Sequence, residues 1–358
     1  MDTQNKLAID NILNTVAGQK ASDLHLSVGS PPIIRIDNKL IPLENENIIS
    51  KDFMETFIDS LLDNDQKNTL QENREIVLTY QFGKQERFRI NLFFQKGALA
   101  AYLRLISNQI VPLNQLGLPL QPLIKLASLN KGLLLVSGAF GSGKSTTSSS
   151  IIDYINKNAS TYILSIEKPI EHIFTGQKSF IEQREVGRDA VSFEQALSNL
   201  TQEDVNIVYV SDLPSSKVIE QVLKISSSGR LVIADIEADT VVKTLKTIID
   251  SFPSNEQQQI KDQLSTNLEG IICQKLVPRT GGGQVAVAEI MTSTPPIRSL
   301  IKEGSLYQLN NIIQTSREEG MVSLDWSLAE LVKSNQVQID DALEYAIDPQ
   351  QLSYMLRA

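Results

Sequence analysis

The chain has 358 residues, 41% hydrophobic and 21% charged, with a formal net charge of −9 at pH 7. That length exceeds one ordinary core and predicts two domains, while the acidic balance argues against a protein that coats nucleic acid. One cysteine, Cys273, excludes an internal disulfide, and with only His25 and His172 beside it the usual Cys/His zinc sites lack ligands.

No run approaches the roughly 18 apolar residues that cross a bilayer. The opening "MDTQNKLAID" lacks the basic-then-apolar pattern of a secretory signal. A cytoplasmic protein with no membrane insertion is expected. Ile9, Ile12, Leu13 and Val16 recur at helical spacing, with Gly18 placed to end the helix. Leu24, Leu26 and Val28 then alternate as a half-buried strand does, and "PPIIRIDNKLIPL" reads as a hairpin turning at Asp37-Asn38. Helical spacing returns through Phe53, Phe57 and Leu61, with Ser50 as its N-cap. Three strands follow, "REIVLTYQF", "ERFRINLFF" and "ALAAYLRLI". In the middle one Phe88, Ile90 and Leu92 share one face and Arg87, Arg89 and Asn91 the other. This predicts a small α+β domain over residues 1–106.

Pro112, Pro119 and Pro122 interrupt residues 107–122, which read as an interdomain linker. Over 123–358 the apolar runs "LLLVS", "YILSI", "IVYV" and "LVIADI" alternate with helical stretches, the pattern of buried parallel strands in an α/β sheet. From about residue 254 the tail reads as mostly helical, most clearly in "EQQQIKDQLSTNLEGIICQKL". "VPRTGGGQVAVAEIM" reads as a Gly-tipped hairpin.

Gly138-Ala139-Phe140-Gly141-Ser142-Gly143-Lys144-Ser145, continued by Thr146, satisfies G-x-x-x-x-G-K-[ST] between an apolar strand and a helix. Glycines let successive N–H groups turn inward around an anion, and the helix that follows adds its positive end. Lys144 is placed to reach the β- and γ-phosphates of ATP, and Ser145 to complete a Mg²⁺ shell.

Around this loop, "ASDLHLSVGSPPIIRID", "RFRINLFFQ", "ILSIEKPIEHIF", "QREVGRDAVSFEQAL", "GGGQVAVAEIM" and "TPPIRSLIKEGSLYQLNNIIQT" resemble, in order, the PilT family. These are the type IV pilus retraction motors of twitching motility, within the secretion-ATPase superfamily. The resemblance spans residues 5 to about 340, and "PIRSLIKE" is similar to the C-terminal motif that separates retraction motors from pilus-assembly ATPases. It implies a PAS-like N-terminal domain joined to a RecA-like P-loop ATPase domain with a helical C-terminal tail. It further implies a cytoplasmic hexamer, peripheral at the inner membrane through a pilus platform protein, with ATP and Mg²⁺ as cofactors. Family arginines that approach the γ-phosphate fall on Arg87, Arg89 and Arg104, while a further expected basic residue is Gly97 here.

The departures from the family pattern gather where hydrolysis is performed. "EDPIE" becomes Glu167-Lys168-Pro169-Ile170-Glu171: both glutamates remain, and Lys168, bound to phosphate or facing solvent, replaces an aspartate. "GEMRD" becomes Ser211-Asp212-Leu213-Pro214-Ser215, so the catalytic glutamate is the shorter Asp212, alternatively a metal-shell partner or helix cap. "HLVFGTLHT" becomes "RLVIADIEA", with Arg230 and Glu237 at the histidine positions; Glu237 would repel phosphate unless Mg²⁺ or Arg230 offsets it. The expected activity is an ATPase with Glu167 and Asp212 as catalytic groups, its turnover slow or partner-dependent. The alternative is a nucleotide-binding accessory subunit in a mixed ring with a paralogous ATPase. A small-molecule kinase and a motor for DNA or secreted protein are weaker readings.

Overall fold

The computed structural model describes residues 3–19, 21–36, 39–83, 86–106, 109–198 and 200–357. The chain divides into two compact units, Met1–Gln109 and Ile110–Ala358.

Unit 1 is built on β1 (Asp23–Ser27), β2 (Ile33–Ile36), β3 (Lys39–Pro42), β4 (Glu75–Phe82), β5 (Glu86–Gln95) and β6 (Ala98–Ile106). They form one antiparallel sheet in the order β3-β2-β1-β6-β5-β4. Ile33 pairs with Pro42 and Ile36 with Lys39, which makes the predicted hairpin; its turn at Asp37-Asn38 lies outside the described residues. Helix Thr3–Gly18 buries Ile9, Ile12, Leu13 and Val16, the stripe its spacing predicts, in a core shared with Phe57, Leu24 and Phe88. Phe88, Ile90 and Leu92 of β5 point into that core; Arg89 and Asn91 are half-buried, and Arg87 is buried more deeply than the alternation suggests.

Helix Lys51–Leu61 starts as predicted: the Ser50 hydroxyl accepts the Phe53 N–H at 3.0 Å. Ser50→Ala should cost unit 1 about 1 kcal/mol, read as a lowered urea midpoint at unchanged slope. The next helix, Asn64–Asn73, was not predicted, because Leu70 is its one buried residue and no apolar period announces it. Its signal was the capping box in which Asp63 and Gln66 bond each other's backbone N–H.

Unit 2 carries β7 (Gly132–Ser137), β8 (Tyr162–Glu167), β9 (Phe180–Glu185), β10 (Ile207–Val210), β11 (Leu231–Ile236), β12 (Leu268–Pro278) and β13 (Gln284–Thr292). Their order is β13-β12-β7-β11-β10-β8-β9, parallel throughout except for the antiparallel β12–β13 pair. Leu133 and Leu135 of β7 enter one core while Leu134 and Val136 enter another, so both faces of the sheet are covered. That explains the uninterrupted apolar runs.

The predicted helix over 256–276 is corrected by the structure. It ends at Asn267, and "LEGIICQKL" is β12, inserted between β7 and β13. A strand buried on both faces reads as a continuous apolar run, which periodicity alone does not distinguish from a buried helix. The Gly-tipped hairpin is β12–β13, turning through 279–283. Of the stretch read as a linker, Ile110 onward belongs to unit 2: Leu113 and Leu118 are buried, and Leu120 opens the helix Leu120–Ala127. Its prolines break the period that would have revealed the packing. No described helix is long and apolar enough to cross a membrane.

Candidate functional site

β7 runs into the glycine-rich loop and the loop into helix Lys144–Asn158, so the backbone reverses where the sheet ends. A Cβ on Gly138 would lie 2.3 Å from Ser142 Oγ and 2.5 Å from the Gln274 carbonyl oxygen, so no side chain fits there. Gly143 has φ +87°, a left-handed conformation that glycine adopts without strain. It occupies the N-cap of the helix, and no side chain caps the first amides. An uncapped helix N-terminus leaves its donors to an anion. Lys144 Nζ donates to the carbonyls of Gly138 and Ala139, both at 2.9 Å, and the ammonium therefore lies over the loop. Ser145 and Thr146 follow half-buried in the first turn, and Phe140 is exposed at the loop's tip.

Further along the same helix, Ser148 donates to Asp235 of β11 at 2.5 Å, and the Tyr209 hydroxyl of β10 donates to the other oxygen at 3.0 Å. Asp235 is fully buried, and desolvation raises its carboxyl to about 7 against the pull of those two hydroxyls. Glu167, at the end of β8, is also buried: Ser165 and Gln183 both donate to its Oε1, and desolvation lifts it to about 7. Glu289 caps helix Val241–Asp250 by accepting the Val241 N–H at 2.8 Å, and burial raises it to about 7 as well. Each of these groups holds its proton more tightly in the folded chain than in the unfolded one. Their contribution to stability is therefore full below the ordinary carboxylate range and is lost as pH rises to about 7. Asp235→Asn should consequently lose less thermal stability than the parent between about pH 5 and about pH 7.5, a difference that paired melting curves measure.

The remaining predicted groups of unit 2 come together at the ends of β8, β10 and β11. Asp212 follows β10 with its side chain exposed, and its Oδ1 accepts the Leu213 N–H at 2.8 Å. Partial desolvation raises its carboxyl, Glu237 adds to the rise, and Lys144 and Lys168 oppose it. Glu237, Lys144 and Lys168 thus stand within electrostatic reach of Asp212. Lys168 is exposed, and its backbone N–H donates to Ser211 Oγ at 3.0 Å, which ties the two altered segments together. The helix-cap alternative for Asp212 is corrected: Ser215 caps Ser216–Ser227. Arg230 does not offset Glu237 either. It precedes β11 while Glu237 follows it, roughly 20 Å along the strand, and its guanidinium donates to Val205, Glu203 and Ser228.

The predicted arginines lie on unit 1. Arg89 and Arg104 face each other across β5 and β6, and Arg104 Nε pairs with Asp23 Oδ1 at 3.0 Å, beside Tyr102, which donates to the same oxygen. Arg35 joins Asp23 from β2 at 3.4 Å. The carboxylate thus gathers two guanidiniums that the sequence separates.

Among the described residues no group of three or more His, Cys, Asp or Glu is arranged to hold a metal ion alone. A donor set with one hydroxyl, Ser145, suits a cation that keeps waters and phosphate oxygens, as Mg²⁺ does. Sequence reasoning missed Asp235, Ser148, Tyr209 and Gln274. For Asp235 and Gln274 the available signal was a polar residue inside the apolar runs "LVIADI" and "GIICQKL".

Residues 3–282 match the family described as type II/IV secretion system protein. The chain is 34% identical to the type IV pilus retraction ATPase PilT of Pseudomonas aeruginosa, over 96% of this chain and 99% of that protein. It is 31% identical to the type IV pilus ATPase PilU of the same organism, over 98% of this chain and 92% of that one. Among solved structures it is similar to the pilus retraction motor PilT with bound ADP, at a TM-score of 0.88 and 35% identity, covering 97% of this chain and 99% of that chain.

Proposed function

The chain belongs to the type II/IV secretion system protein family, and from that membership we propose that it is an ATP-binding motor subunit of the type IV pilus machinery, acting in pilus retraction. The observation that carries the reading is the loop itself: a glycine that no Cβ can replace, an uncapped helix start and an ammonium over the backbone. The similarity to PilT over nearly the whole of both chains supports the motor role.

In this reading the loop amides from Gly138 to Thr146 hold the phosphates and Lys144 neutralises the β- and γ-oxygens. Mg²⁺ arriving with ATP would be held by Ser145 and would stabilise charge developing on the phosphates. Asp212 orients the attacking water and Glu167 stands behind it as a buried carboxylate. Arg87, Arg89 and Arg104 are assigned to the γ-phosphate, which for Arg104 requires leaving Asp23. Six copies form a ring, alone or mixed with a paralogue. A platform protein at the inner membrane receives the motion of a cytoplasmic ring.

Asp212 is also the observation that favours a second reading. Its carboxylate is shorter than glutamate, turned onto Leu213 and flanked by Glu237. Those features suit an accessory subunit that binds ATP and relies on an active paralogue. Steady-state phosphate release by the purified chain tests both. Release above a Lys144→Ala control supports the motor; release only after mixing with a paralogous ATPase supports the accessory subunit.

A further inference from the structure

Gln274 of β12 is 2% exposed, and its side chain spans the phosphate loop. Its Nε2 donates to the Ser142 carbonyl at 2.6 Å, and its Oε1 accepts the Thr147 hydroxyl at 2.6 Å. A carbonyl only accepts, so the Ser142 contact fixes which end of the amide is nitrogen. The last pairing of β7 with β12 is Ser137 with Cys273. Gln274 therefore stands directly beside the point where β7 opens into the loop. Its backbone carbonyl presses on Gly138 and its amide nitrogen lies 2.8 Å from where a Cβ on Gly143 would sit.

The consequence lies in one peptide plane. In a trans peptide the carbonyl of one residue and the N–H of the next point in opposite directions. With the Ser142 carbonyl drawn toward β12, the Gly143 N–H is aimed away from it. We propose that Gln274 is the positioning residue of the phosphate loop: its amide fixes the Ser142–Gly143 peptide so that the Gly143 N–H faces the bound phosphate. The inference rests on the nucleotide reading above and names what holds that site ready. Glutamine suits the task because one planar group supplies both a donor and an acceptor. Methionine fills the same length with neither, and glutamate sets an acceptor against the Ser142 carbonyl.

The test compares Gln274→Met and Gln274→Glu with the parent chain by titration calorimetry with Mg-ADP and with adenosine, and by hydrogen exchange over residues 142–147. Gln274→Met should bind ADP about tenfold more weakly, the scale of one lost buried hydrogen bond, with adenosine unchanged and loop exchange faster. Gln274→Glu should bind ADP more weakly still. ADP affinity and loop exchange unchanged in both variants would overturn the assignment, as would equal losses for ADP and adenosine. If the folded parent chain binds no ADP, the nucleotide reading falls. In that case faster loop exchange in Gln274→Met still upholds the pin, and unchanged exchange removes it.

Discussion

Lys144→Ala should lower affinity for ATP and ADP by about a hundredfold and abolish any phosphate release. The ammonium is the one cation on the glycine loop, and a hydrogen bond to a charged group is worth about 1.5–3 kcal/mol. Two contacts to phosphate oxygens would be lost together. In the fold its partners are two backbone carbonyls at the loop, so its removal leaves the cores untouched. The melting temperature should stay within a few degrees of the parent, about what a surface substitution does. Calorimetry with each nucleotide beside a melting curve separates loss of binding from loss of fold.

Asp212→Glu should raise ATP turnover by about tenfold to a hundredfold. The added methylene moves the carboxylate outward by roughly 1–1.5 Å, and a displacement near 1 Å is worth on the order of a hundredfold when it restores alignment. It also frees the oxygen that now accepts the Leu213 N–H. Glu237 stands close enough to oppose the ionised form of a carboxyl at 212, so Asp212→Glu with Glu237→Gln should exceed the single variant. A steady-state assay at saturating Mg-ATP reads both. No rise in either would mean that the substitution at 212 does not limit the reaction.

What the sequence made legible were features carried by near neighbours. Ser50 capping Phe53, the stripe Ile9-Ile12-Leu13-Val16, the alternation of β5 and the glycine loop all depend on residues a few positions apart. The contacts that shape the site do not. Ser148 meets Asp235 across 87 positions and Thr147 meets Gln274 across 127. Neither pair has a local pattern, and only the order β12-β7-β11-β10 brings the strands to the helix that carries both hydroxyls. The tail was misread for a related reason. β12 is apolar on both faces because a core covers each side of the sheet, Ile271 entering one and Ile272 the other, so its sequence carries no alternation to announce a strand.

The altered segments after β8, β10 and β11 were legible as departures, but their electrostatic meaning was not. Exchange of an aspartate for Lys168 and of a histidine for Glu237 places one new charge of each sign around Asp212. The two new charges act in opposite directions on that carboxyl, an opposition that appears only when the loops are assembled. Arg230, the apparent partner of Glu237 in sequence, stands at the far end of the strand.

Titration of the folded chain with Mg-ADP by calorimetry tests the central claim most directly. One site per chain, lost in Lys144→Ala, is the predicted result. No heat from well-folded protein at any nucleotide concentration would contradict it.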